Sequence, residues 1–106
     1  MRIPKFEART EWVKPTEFPD LRQVDEIAIL FLFCHGHVIG IAVATSHYKG
    51  YFPIAHEGGG NMDRKKVLDW LKDILDSPST KIFHNAMYDV CWLRAMGFKI
   101  NGDIVC

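Results

Sequence analysis

Asn85 and Asp89 stand four residues apart, where the short apolar run ending at Phe83-His84 gives way to Ala86, Met87, Val90 and Leu93 at helical spacing. On a helix, that separation brings the amide and the carboxylate toward about the same side of the first turn. The carboxylate has two readings. It is either a ligand for a divalent cation, which prefers oxygen donors, or an exposed acid sitting well at the positive end of the helix dipole. Asn85 is suited to cap the helix by accepting an orphan backbone N–H, and a substrate contact is compatible with that role. His84 and Arg94 complete the polar groups that this stretch offers a ligand, with a structural role favoured for His84.

Other clusters carry weaker chemistry. Cys34-His35-Gly36-His37, with Cys91 as a further donor, has zinc-binding residue types but lacks the second ligand pair that a closed tetrahedral site requires. Gly58-Gly59-Gly60 is not followed by Gly-Lys-Ser/Thr, so it reads as a hinge and not as a phosphate-binding loop. Asp69, Asp73 and Asp76 recur opposite an apolar stripe and read as a solvated helix face. Arg64, Lys65 and Lys66 crowd the start of that helix, against its dipole, and are either solvated or a basic contact patch. Trp70 and Trp92 lie in apolar stripes and are expected in the core, not as base-stacking platforms.

The elements that must position these residues follow from hydrophobic patterning. Residues 1–24 contain Pro4, Pro15 and Pro19 with Phe6, Trp12, Val13 and Phe18 as isolated apolar anchors, which predicts an extended arm laid across the domain. The run from Glu26 to Cys34 is almost continuously apolar and predicts a strand covered on both faces. His35-Gly36 marks a tight turn, Val38 to Thr45 the returning strand, and Tyr51 to Ala55 a third strand whose proline places it at an edge. Val67, Trp70, Leu71, Ile74 and Leu75 predict a helix over about 62–76. Lys81 to Phe83 then forms a short buried strand, the Asn85 helix ends at Gly97, and Asp103 to Cys106 starts another strand. The expected class is α/β, a three-stranded antiparallel meander followed by α-β-α-β.

The chain of 106 residues, with 48% hydrophobic and 25% charged side chains, suits one ordinary folded domain. Thirteen basic and thirteen acidic residues cancel, so net charge does not announce a nucleic-acid partner. Met1 to Glu7 lack the uninterrupted apolar core of a signal peptide, no apolar run is long enough to span a bilayer, and the three cysteines form no paired framework. A cytoplasmic location is expected, host cytoplasm if the source is a phage, with no membrane partner.

Phe83-His84-Asn85-Ala86-Met87-Tyr88-Asp89, followed by Leu93 and Gly97-Phe98-Lys99-Ile100, resembles the second exonuclease motif of the proofreading 3′–5′ exonuclease domain of family A, polymerase I-type DNA polymerases. Gly36 to Thr45 and Gly50 to His56 are similar to the second and third strands of that domain, particularly in phage-like polymerases. The resemblance spans roughly residues 12–105 and implies a partial ribonuclease H-like fold over 25–106. It also implies two divalent cations, Mg²⁺ or Mn²⁺, held by four acids that activate water against the terminal phosphodiester of single-stranded DNA. Asp89 matches the third acid, and Asn85, His84 and Arg94 would contact the DNA 3′ end.

The first two acids of that family come as Asp-x-Glu on the first strand, and here Leu30 and Leu32 take those places. The loop after that strand is collapsed to His35-Gly36, and the fourth acid would fall beyond Cys106. One carboxylate cannot hold two cations, so stable metal binding and nuclease activity are not expected of the chain alone. The resulting expectation is a truncated or degenerate exonuclease domain. A non-catalytic nucleic-acid-binding or polymerase-associated module and a small structural protein are the alternatives. The remainder of a polymerase, or a second copy meeting an exposed sheet edge, would be its protein partner.

Overall fold

The computed structural model of the chain describes residues 17–106. The anchors Phe6, Trp12 and Val13 of the expected arm lie outside the described residues. The elements are β1 (Glu26–Cys34), β2 (His37–Ala44), β3 (Lys49–Pro53), α1 (Arg64–Asp76), β4 (Thr80–Phe83), α2 (Ala86–Ala95) and β5 (Ile104–Val105). The five strands form one mixed sheet in the order β3-β2-β1-β4-β5, so the chain is α/β, with the expected succession of elements.

The hairpin comes first. Cys34 faces His37 across a two-residue connection whose residues both have positive φ, 51° at His35 and 79° at Gly36. Such a turn twists in the same sense as the strands it joins. β2 pairs antiparallel with β3, which is an edge strand, as Pro53 requires. β4 then pairs parallel with β1, Ile29 opposite Phe83, and β5 pairs parallel with β4.

Parity along β1 divides the sheet into two unlike faces. Ile27, Ile29 and Phe31 are buried with Ile41, Val43 and Phe52 of the neighbouring strands. Both helices cover this face. Trp70 of α1 lies over Phe52 with ring centroids 4.4 Å apart, and Trp92 of α2 lies 5.4 Å from Phe31. Val67, Leu71, Ile74 and Leu75 of α1 and Val90 and Leu93 of α2 complete one core. Ala28, Leu30 and Leu32 point the other way and are only half-buried. Among the described residues, β1 is thus a central strand with both helices on one face and a half-buried face opposite, which corrects the expectation of full cover on both. Its unbroken apolar run reflects a second face, bare of helices, that is itself apolar.

Local chemistry explains the helix ends. Asp63 caps α1 by accepting the N–H groups of Lys65 and Lys66 at 3.0 and 3.3 Å, an acid at the dipole's positive end that offsets the basic cluster after it. At the end of α2, the Phe98 N–H donates to Leu93 O and the Gly97 N–H to Arg94 O, the Schellman closure. Of the expected arm, Phe18 stacks on Phe52, Leu21 is buried, and Pro19 O accepts from the Trp70 indole at 2.7 Å. Both tryptophans pack against the core, as their stripes predicted.

Candidate functional site

β4 delivers the chain to the N-terminus of α2. Its last residue, Phe83, is fully buried opposite Ile29, and His84-Asn85 follow as the connection. Asn85 is the N-cap, its side-chain oxygen 3.5 Å from the Tyr88 N–H. The four polar residues singled out by sequence do not share an environment. His84, Asn85 and Arg94 are exposed, whereas Asp89 is 4% exposed. The amide and the carboxylate therefore do not look out together, which corrects that expectation. Asp89 shares its side of the helix with Ala86, three residues before it, and Leu93, four after, both packed on the core.

Burial raises the Asp89 carboxyl above its usual range, because its charged form loses water. The Asn85 backbone N–H, which bonds to it, and the nearby His84 pull the other way. The reading of Asp89 as an exposed helical acid is thus set aside. An inward acid at the first turn of a helix is unusual for a purely structural position, since the same residue turned outward would keep its water.

The positions of Leu30 and Leu32, where the resembled family carries its first two acids, do not adjoin Asp89. Phe33 makes edge-to-face contacts with Tyr88 and Trp92, 5.3 and 6.2 Å between centroids, so α2 lies over the side of β1 that carries Phe31 and Phe33. Leu30 and Leu32 have the opposite parity, so acids there would stand on the bare face. Among the described residues, no three His, Cys, Asp or Glu side chains gather closely enough to hold a metal ion. The donor set around Asp89 does not fit a pair of divalent cations, which need several oxygen ligands.

Two polar arrangements were missed by sequence reasoning. The first is Lys81, whose side chain is fully buried on the helix face of β4. Its Nζ donates to the carbonyl oxygens of Ser77, of Ser79 at 2.9 Å and of Asn101 at 2.7 Å. Three donors meet three acceptors, so the ammonium is saturated. Burial pushes its pKa below the usual lysine range, and the nearby Asp76 raises it in part. The available signal was parity: in the short buried strand Lys81 and Phe83 share a face, so the lysine must turn inward with the phenylalanine. The second is on the bare face, where the Tyr51 hydroxyl and His56 Nε2 are hydrogen-bonded. The hydroxyl end of Tyr51 lies over Gly40, where any Cβ would collide with it. Asn61 holds the His56 backbone through both its N–H and its carbonyl.

The remaining residues are plainly placed. Cys34, Cys91 and Cys106 are unpaired and exposed. Among the described residues, no helix is long and apolar enough to cross a membrane. No protein-family model matches the chain, and no curated protein does so.

Proposed function

We propose that the chain is a degenerate 3′–5′ exonuclease domain of a DNA polymerase, of ribonuclease H-like fold, without nuclease activity of its own. Single-stranded DNA is its ligand, met by the exposed His84, Asn85 and Arg94. The observation that carries this reading is the inward Asp89 on the first turn of α2, directly after β4. An acid so placed is costly for a domain that only has to fold and is expected where a catalytic carboxylate once stood. The sheet order β3-β2-β1-β4-β5, antiparallel up to β1 and parallel after it, supports the same reading.

Arg94 supplies charge for a phosphate, while among the described residues no three His, Cys, Asp or Glu side chains gather to supply the oxygen ligands that hydrolysis would need. Fluorescence anisotropy with a labelled oligonucleotide at low salt is expected to show weak, salt-sensitive binding, reduced several-fold in Arg94→Ala. Incubation with Mg²⁺ or Mn²⁺ is expected to leave the oligonucleotide intact. Digestion that is lost in Asp89→Ala would show an intact enzyme. Absence of binding at low salt would favour a structural protein without a nucleic-acid role.

A further inference from the structure

The segment from Asn101 to Cys106 is joined to the rest of the fold in an uncommon way. β5 is two residues long, and both Ile104 and Val105 are exposed. It contributes no side chain to the buried core. What fastens it is polar and concentrated at one end. Asn101 gives its carbonyl to Lys81 Nζ and its N–H to Leu75 O. The Asn101 side-chain amide donates to the Asp76 carbonyl and carboxylate at 2.9 and 2.7 Å. Asp103 O accepts the Lys81 N–H at 2.8 Å. At Gly102, with φ 79°, a Cβ would sit 2.1 Å from Ser79 O, so the strap lies directly against the backbone that forms the rest of the lysine's cage.

We propose that residues 101–106 are a separately releasable strap and that the Lys81 ammonium is its lock. A charged head with three donors ties together three pieces of chain: the end of α1 at Ser77, the start of β4 at Ser79, and the strap at Asn101. Withdrawing the strap removes one of the three acceptors and leaves the apolar core intact, so the opening is local. Release uncovers the outer edge of β4. It also frees the carbonyl of His84, which accepts from Cys106 Sγ at 3.5 Å in the docked state. This inference does not depend on the nuclease reading, because it concerns only which parts of the fold open together.

Native-state hydrogen exchange on the whole chain tests it. The Asn101 and Lys81 amides are expected to exchange roughly tenfold or more faster than Ile41 and Val43 in the β1–β2 hairpin, at a denaturant-insensitive rate. Lys81→Met keeps the length of the side chain and removes the donors. Gly102→Ala leaves the lysine in place and blocks docking by the contact with Ser79 O. Each is expected to abolish protection at Asn101 while Ile41 and Val43 stay protected. If Lys81→Met fails to fold, the wild type and Gly102→Ala still decide. Exchange of Asn101 at the hairpin's rate in the wild type, or equal loss of protection at Ile41 and Val43 in Gly102→Ala, would overturn the proposal.

Discussion

Lys81 and Asp89 are both charged residues buried near the same strand, and they are buried in opposite ways. Lys81 has three backbone carbonyls for its three N–H donors. Asp89 has one backbone N–H and a neighbouring imidazole, and burial holds its carboxyl above the usual range. A buried charge with complete hydrogen bonding organises the structure, while one with partial hydrogen bonding burdens it. The first is explained by the fold alone. The second needs another reason for its retention, and this contrast makes Asp89, not Lys81, the residue on which a functional reading rests.

The largest test of the contrast is Lys81→Met. Three carbonyls would lose their donor at once, and urea unfolding is expected to show a loss of about 3 kcal/mol, at roughly 1 kcal/mol for each. If the strap leaves as proposed, the loss falls below that figure, because Asn101 O then reaches water. A neutral or stabilised variant would mean that the cage contributes nothing and would dissolve the comparison.

Asp89→Asn is expected to act in the opposite direction, stabilising the fold at neutral pH. The sign follows from proton linkage. The native carboxyl is raised above its usual 3.8, so the folded chain keeps its proton to higher pH than the unfolded chain does. Stability contributed by the protonated group is fully present below 3.8 and is lost as pH rises through the native value. The advantage of the asparagine variant should therefore be absent in acid and grow toward neutrality, as seen in unfolding midpoints at several pH values. A constant difference across that range would show that burial does not govern this carboxyl.

A smaller effect is expected at Asn85→Ala. The capping contact to Tyr88 N–H is long, 3.5 Å, so the cost should sit near the lower end of the capping range, about 0.5 kcal/mol. Asp63→Ala removes two shorter capping bonds and serves as the comparison, with an expected cost of about 1 kcal/mol. Thermal unfolding of the pair gives the order. A larger loss at Asn85 would mean that the first turn of α2 supports Asp89 more than the geometry indicates.

Much of the architecture was legible in the sequence because its strongest signals are local. His35-Gly36 between two apolar runs fixed the hairpin, Pro53 placed its strand at the edge, and Gly97 ended the second helix. What remained hidden depends on which groups meet across the fold. The apolar side chains Ala28, Leu30 and Leu32 do not reveal that both helices lie on the opposite face. Asp89 has the same spacing whether it turns inward or outward, and only packing decides. Lys81 was read as part of a brief strand, since the carbonyls that make its burial tolerable include that of Asn101, far along the chain, which only the fold brings near. The long apolar stripe of α1 was found readily, but its start slipped by two residues because Asp63 went unrecognised as the cap.

The two-residue turn at His35-Gly36 also bears on the order in which the molecule assembles. β1 and β2 share the sheet's longest ladder, from Ala28 with Ala44 to Cys34 with His37, and they are held in register by the turn itself. Little chain entropy is spent in closing so short a loop, so this ladder can form on the timescale of an isolated hairpin. The parallel pairing of Glu26 with Thr80 must instead wait for half the chain to come round. The hairpin is therefore the natural nucleus and the arrival of β4 the slow step. Substitutions in the turn should change the folding rate, while those around Lys81 should change the unfolding rate.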